Sequence, residues 1–183
     1  MSEKELELFV SFLSKSSRYV EFGSGGSTVL ASTTVKEAII SVESSMAWIQ
    51  KVTEACQANA VRPQMVYADI GPTGVVGYPI DQRTRHRWPG YHSSLWSIPG
   101  SREGDLYLVD GRFRVACFAQ VILNCPQDVI IGVHDFASRA HYHSVKMLAR
   151  EIATMEDISF FQPNPGAGVV AKRLLDFHKF DPR

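Results

Sequence analysis

The sequence predicts a single α/β domain, doubly wound, with a mostly parallel sheet and helices on both faces. Two observations carry that expectation. Apolar runs at 18–22, 37–43, 64–68, 105–110 and 128–135 alternate with segments of helical spacing, as in chained βαβ units. The central runs are continuously apolar rather than alternating, which suits strands covered on both faces. A third observation marks the ligand edge. Glu21-Phe22-Gly23-Ser24-Gly25-Gly26-Ser27 puts a glycine turn between a strand and a helix, where a ligand can approach the backbone and an anionic group is favoured.

In chain order, Leu6, Phe9, Val10 and Leu13 recur at helical spacing, so residues 3–15 read as an amphipathic lead-in helix. Strand 18–22 precedes the glycine turn, and a helix begins over 27–32. Strand 37–43 ends at Glu43. Ser44 is placed to cap the next helix, in which Trp48, Val52 and Ala55 share a face. Pro63 breaks the chain before strand 64–68, which ends at Asp69. From 71 to 104 regular signals lapse among glycines, prolines and arginines, and an irregular insert of that length is often functional. Strand 105–110, helix 113–123 and strand 128–135 follow. Residues 141–153 read as a helix, 158–161 as a short strand, and 168–173 as the last of seven strands, the antiparallel one.

The chain of 183 residues fits one domain spanning 1–183, with 45% hydrophobic and 21% charged residues. Nineteen basic residues balance nineteen acidic ones, which favours neither nucleic acid nor a membrane surface as partner. No run approaches the roughly 20 apolar residues that span a bilayer. Met1 to Leu13 lacks a basic flank and a cleavage site, so it reads as helix rather than leader. Cys56, Cys117 and Cys125 have no metal-type spacing, so a reduced, cytoplasmic setting is expected. Homo-oligomerisation is left open.

Ligands of open α/β sheets bind outside the carboxyl ends of the strands. Glu21, Glu43, Asp69, Asp110 and the pair His134-Asp135 all stand in or near those ends. Acids also cap helices there, and singly that reading would be preferred. Five in register, with the glycine turn, resemble the Rossmann-like class I S-adenosylmethionine-dependent methyltransferases over nearly the whole chain. Ser27 stands where their first motif often has another glycine. The resemblance implies that Glu21, Gly23, Ser24 and Gly25 hold the methionine part of the cofactor, that Glu43 accepts both ribose hydroxyls, and that Asp69 faces the adenine amino group. A nicotinamide or flavin dinucleotide site would instead need a glycine at Thr28 and would give no reason for Glu21.

Methyl transfer is an in-line displacement, so the protein must position a nucleophile and remove its proton. Asp110, His134 and Asp135 are the candidates, with His134 or Asp135 as general base by reach and pKa class. Some O-methyltransferases of this class hold a divalent metal at these strand ends. Asp110 and Asp135 could do so here, but Phe136 occupies the usual place of a further acid or amide, which makes metal the lesser expectation. His141-Tyr142-His143 is rejected as a metal motif, because residues two apart point to different helix faces. In the insert, Arg83, Arg85, His86, Arg87, Trp88, Tyr91, His92 and Trp96 combine guanidinium and aromatic groups, suited to a carboxylate, phosphate or sugar. Single-stranded nucleic acid binding and a merely packed surface loop are the alternatives. Arg85, Arg87, Tyr91, Arg112, Arg139 and Tyr142 are the substrate candidates, and Arg114 either joins them or pairs locally. The leading expectation is transfer to an oxygen of a small sugar-like or anionic acceptor. A cofactor-binding protein without catalysis and an NAD(P)-dependent oxidoreductase are the alternatives.

Overall fold

Strand β1 (Arg18–Phe22) sits in the middle of the sheet because, past Arg18, its residues are buried and apolar on both faces except at Glu21. Residues 1–183 are described by a computed structural model. The chain begins with helix α1 (Glu3–Leu13), started by a capping box in which Ser2 and Glu5 satisfy each other's backbone N–H groups. After β1 come α2 (Gly26–Thr34), β2 (Ala38–Glu43), α3 (Met46–Ala55) and β3 (Gln64–Tyr67). Short 3₁₀ turns and helix α4 (Gly90–Ser93) fill the insert before β4 (Leu106–Val109), α5 (Arg114–Asn124) and β5 (Ile130–Val133). A 3₁₀ segment (Ala140–Met147), β6 (Ala149–Met155), β7 (Ile158–Pro163) and α6 (Gly168–His178) complete it. No helix is long and apolar enough to cross a membrane.

The seven strands lie in the order β3-β2-β1-β4-β5-β7-β6. All pairs are parallel except β5–β7 and β6–β7, so β7 alone runs against the other six. Successive strand residues serve opposite cores. Tyr19, Ile39, Leu106 and Leu108 pack with Phe9 and Leu13 of α1 and Ala31 of α2. Val20, Phe22, Ile40, Val42, Tyr107 and Val109 pack with α5, α6 and the insert. The insert is therefore structural in large part: Trp88, Tyr91, Leu95 and Trp96 are buried in the larger core.

Two expectations are corrected. Residues 168–173 are not the seventh strand but the first turns of α6. Ala167, Ala171, Leu174, Leu175 and His178 form a helical stripe, visible only when the window extends past the Val169-Val170 pair. Residues 141–153 are not one helix either. Tyr142, Val145 and Leu148 are buried at a spacing of three, which is 3₁₀ periodicity. From Ala149 onward burial alternates, as on an edge strand. A smaller difference is that Ser45, not Ser44, caps α3, its Oγ accepting from Trp48 N at 3.3 Å.

The sheet changes winding direction between β1 and β4. Phe22 pairs with Val109, so the turn at Gly23 meets the turn at Asp110-Gly111. Gly23 has φ +98°, and a Cβ there would lie 2.6 Å from Gly111 Cα. Gly26, on the helical side, faces open space. Gly23→Ala is therefore expected to destabilise the fold by about 3 kcal/mol, from left-handed strain plus overpacking. Gly26→Ala should be neutral or stabilising by up to about 1 kcal/mol. Denaturant unfolding of the two variants checks the contrast; equal effects would contradict it.

Candidate active site

Glu21 is fully buried, and its carboxylate accepts from four hydroxyls. Tyr19 Oη and Ser27 Oγ donate to Oε2, each at 2.7 Å. Ser41 Oγ donates to Oε1 at 2.8 Å, and Thr28 Oγ1 donates to the same oxygen. Thr28 Oγ1 in turn accepts from Gly25 N at 2.8 Å. Burial raises the Glu21 pKa, and the four hydroxyl bonds oppose that rise. Its oxygens are thus committed to the turn, and Glu21 is absent from the lining of the cleft beyond it. Rather than lining the cleft, as the sequence reading expects of a ligand contact, it builds the glycine turn from behind.

The cleft, of about 1050 Å³, crosses the carboxyl ends of β1, β2, β4 and β5. Gly23, Ser24, Gly25 and Glu43 line it, as do Asp110, His134 and Asp135. Glu43 Oε1 is held by Ser44 N at 2.7 Å and Ser45 N at 2.9 Å. Its Oε2 has only two long contacts, to Ser24 N and Oγ at 3.3 Å, so it keeps acceptor capacity at the cleft. Trp48 also lines the cleft, its indole N–H donating to Ser24 O at 2.7 Å. Val76 and Gly77 form the opposite wall. Asp69 is not in the lining. It pairs with Arg87 and accepts from Gly71 N at 3.0 Å, because the chain after β3 turns Asp69 away from the sheet edge.

At the other end, charges converge. Arg114, 3% exposed, forms ion pairs with Asp110 Oδ1 at 3.2 Å and Asp135 Oδ2 at 3.0 Å. Its hydrogen bonds go to the carbonyls of Asp110, Gly111 and His134. Arg139 pairs with Asp135 Oδ2 at 2.9 Å. His134 Nδ1 lies 3.0 Å from Asp110 Oδ1, and its Nε2 lies 3.4 Å from Glu5 Oε2. Both ring nitrogens face carboxylates, an arrangement that favours donation from both, the imidazolium form. Burial works against that charge, but the Asp110 bond and the charges of Asp110 and Asp135 outweigh it and raise the His134 pKa. Burial would raise the Asp110 carboxyl; His134 and Arg114 outweigh it and hold it below its ordinary value.

Three consequences follow for the residues singled out by sequence. His134 has both ring nitrogens directed at carboxylates, an arrangement that suits a fixed cation better than the general base expected from the sequence. Asp135 has both oxygens within reach of cations, whereas Asp110, which lines the cleft, engages its cations through Oδ1 and leaves Oδ2 without a hydrogen-bond partner. Asp110, His134 and Asp135 lie close enough to hold a metal ion, yet the guanidinium of Arg114 already bridges the two carboxylates. The donor set fits that organic cation and fits a further divalent ion poorly.

Among the substrate candidates, Tyr91, Arg112 and Arg139 line the cleft. Arg112 makes no salt bridge, and its buried Nε has no hydrogen-bond partner. Arg85 stacks on Phe180 at 4.0 Å, Arg87 pairs with Asp69, and Tyr142 is buried beneath the guanidinium groups of Arg114 and Arg139. These three lie outside the cleft lining. Glu5, Trp48 and Val76 escaped the sequence reading. Only Trp48 carried a signal, as an aromatic one turn into the helix after Glu43.

No protein-family model and no curated protein matches the chain. A methyltransferase-like protein from Silicibacter pomeroyi superposes with a TM-score of 0.86 at 29% identity, covering 100% of this chain and 96% of that one. The chain has the class I S-adenosylmethionine-dependent methyltransferase fold. More distant structures share it. The N-methyltransferase NodS from Bradyrhizobium japonicum, solved with S-adenosyl-L-homocysteine, has a TM-score of 0.59 at 9% identity and covers 88% of this chain and 87% of its own. MycE, a methyltransferase of mycinamycin biosynthesis solved with Mg, S-adenosylhomocysteine and mycinamycin VI, has a TM-score of 0.52 at 11% identity. It covers 86% of this chain and 44% of its own. The methyltransferase fold, with its opposed β7, also differs from the 3-2-1-4-5-6 sheet of dinucleotide domains.

The charge cluster makes stability depend on pH in opposite senses. With its folded pKa raised, His134 contributes fully below the ordinary imidazole value of about 6.5 and loses that contribution as pH climbs through the raised value. With its folded pKa lowered, Asp110 contributes above about 3.9 and loses that contribution as pH falls through the lowered value. The unfolding free-energy difference between wild type and His134→Asn should therefore shrink as pH rises above about 6.5; a difference that is flat or grows would contradict the cluster. Arg114→Leu, which strands two carboxylates, should lower stability by about 3–5 kcal/mol at neutral pH, read by the same denaturant titration.

Proposed function

We propose that this chain binds S-adenosylmethionine in the cleft and transfers its methyl group to an oxygen of a small anionic acceptor. The observation that carries the reading is the pairing of the glycine turn with Glu43, whose Oε2 is an ionisable acceptor left open toward the same cleft. A ribose diol needs such an acceptor. The methionine end would lie against the backbone at Gly23–Gly25, and the adenine between Trp48 and the Val76-Gly77 wall, in place of Asp69.

S-adenosylmethionine, when bound, supplies the electrophilic methyl group. The chain's own residues do the rest. Asp110 Oδ2 accepts the hydrogen bond of the acceptor hydroxyl, aims an oxygen lone pair along the displacement axis, and takes the proton. Because His134 and Arg114 hold Asp110 acidic, its contribution is more orientation than base strength. Arg112, without a carboxylate of its own, pairs with the anionic group of the acceptor. A second reading, cofactor binding without turnover, draws support from the same cluster, since every proton acceptor but Asp110 Oδ2 is tied to a cation.

Calorimetric titration with S-adenosylhomocysteine should show binding that Glu43→Ala weakens about a hundredfold, as expected for losing two charge-assisted hydrogen bonds. Unchanged affinity would sink the ribose assignment. Asp110→Asn should leave that affinity within about twofold while slowing methyl transfer by roughly 10²-fold or more. Silence of the wild-type protein across hydroxy-acid and phosphorylated acceptors would instead favour the binding-only reading.

A further inference from the structure

The first turn of α1 faces solvent except at one charged residue. Glu5 is only 4% exposed, and its carboxylate joins its own helix cap to two distant parts of the chain. Oε2 accepts from Ser2 N at 2.6 Å and lies 3.4 Å from His134 Nε2. Oε1 accepts from Asp157 N, in the β6–β7 turn, at 2.8 Å. A helix cap alone would account for the Ser2 bond. It would not account for burial of the charge, nor for its approach to an imidazole 129 residues away whose other face meets Asp110. Removing a carboxylate from water is costly unless cations and donors compensate, and here the compensating cation is His134.

We propose that Glu5 is a positioning residue of the active site, acting through His134. It holds the ring from behind so that Nδ1–H stays on Asp110 Oδ1, which leaves Oδ2 as the oxygen presented to the acceptor. The effect on turnover rests on the methyl-transfer reading above; the clamp on the ring does not. Asp110 and Asp135 face the ring from the ends of β4 and β5, Asp157 from the β6–β7 turn, and Arg114 from α5. Glu5 and the Met1 amino group face it from the α1 side.

The test compares Glu5→Gln with Ser2→Ala in the full chain. Gln preserves side-chain size and, with its one carbonyl oxygen on Ser2 N, the cap, but gives up an acceptor for Asp157 N and removes the charge opposite Nε2, whereas Ser2→Ala weakens the cap and leaves the ring untouched. In Glu5→Gln at neutral pH, the ¹⁵N signals of the His134 ring should move from the imidazolium pattern toward the neutral one. Its kcat should fall about tenfold or more through misorientation, with S-adenosylhomocysteine affinity within about twofold of wild type. Ser2→Ala should change neither ring signals nor kcat. Unmoved ring signals, an unchanged kcat, or the same losses in Ser2→Ala would overturn the role of Glu5. The ring signals need no acceptor, so an inactive wild-type protein would count against the methyl-transfer reading alone.

Discussion

A carboxylate buried in the middle of a parallel sheet sets the terms for this molecule. Glu21 cannot be solvated by water, and no basic side chain neutralises it. Four hydroxyls do the work instead, from the strand itself (Tyr19), the neighbouring strand (Ser41) and the helix beyond the turn (Ser27 and Thr28). Because Thr28 also receives the Gly25 N–H, the buried charge fixes the path of the glycine turn. A buried polar network of this kind tolerates no half-satisfied member. It accounts for a threonine where a dinucleotide turn would need glycine, since at position 28 the hydroxyl is the useful group.

The cleft edge uses the opposite strategy. At the ends of β4 and β5, carboxylates and cations alternate: Glu5, His134, Asp110, Arg114, Asp135, Arg139. Such a chain nearly neutralises itself and holds its members in fixed orientations, so chemistry is left to the groups it does not consume. Those are Asp110 Oδ2 and the guanidinium of Arg112. The Glu43 end is similarly divided, with one oxygen engaged by backbone N–H groups and the other left to the cleft. A preorganised site with a few open valences suits a reaction whose reactive group is brought by a cofactor.

Much of this was legible in the sequence, for physical reasons that also explain what was not. Strand ends and the glycine turn are local signals, so Gly23, Glu43, Asp110 and Asp135 were found where the cleft later appeared. Glu21 also stands out, as a charge within an apolar strand, where burial is costly. Its partners were beyond reach, because hydroxyls carry no charge signature and Ser41 comes from another strand. Asp69 and Arg87 each looked functional alone and neutralise one another in space. Glu5 carries no sequence signal that sets it apart on α1, and only the folded chain brings it to His134. At the C-terminal end, Val169-Val170 read as a strand because the stripe through Leu174 and Leu175 lies beyond a short window.

Everything above turns on which carboxylates meet the ligand. A crystal structure of the chain with S-adenosylhomocysteine would decide it directly. The account predicts both ribose hydroxyls within hydrogen-bond distance of Glu43, the adenine against Trp48, and Glu21 still bound only to its four hydroxyls. Ribose hydroxyls away from Glu43, or a ligand ammonium on Glu21, would contradict it.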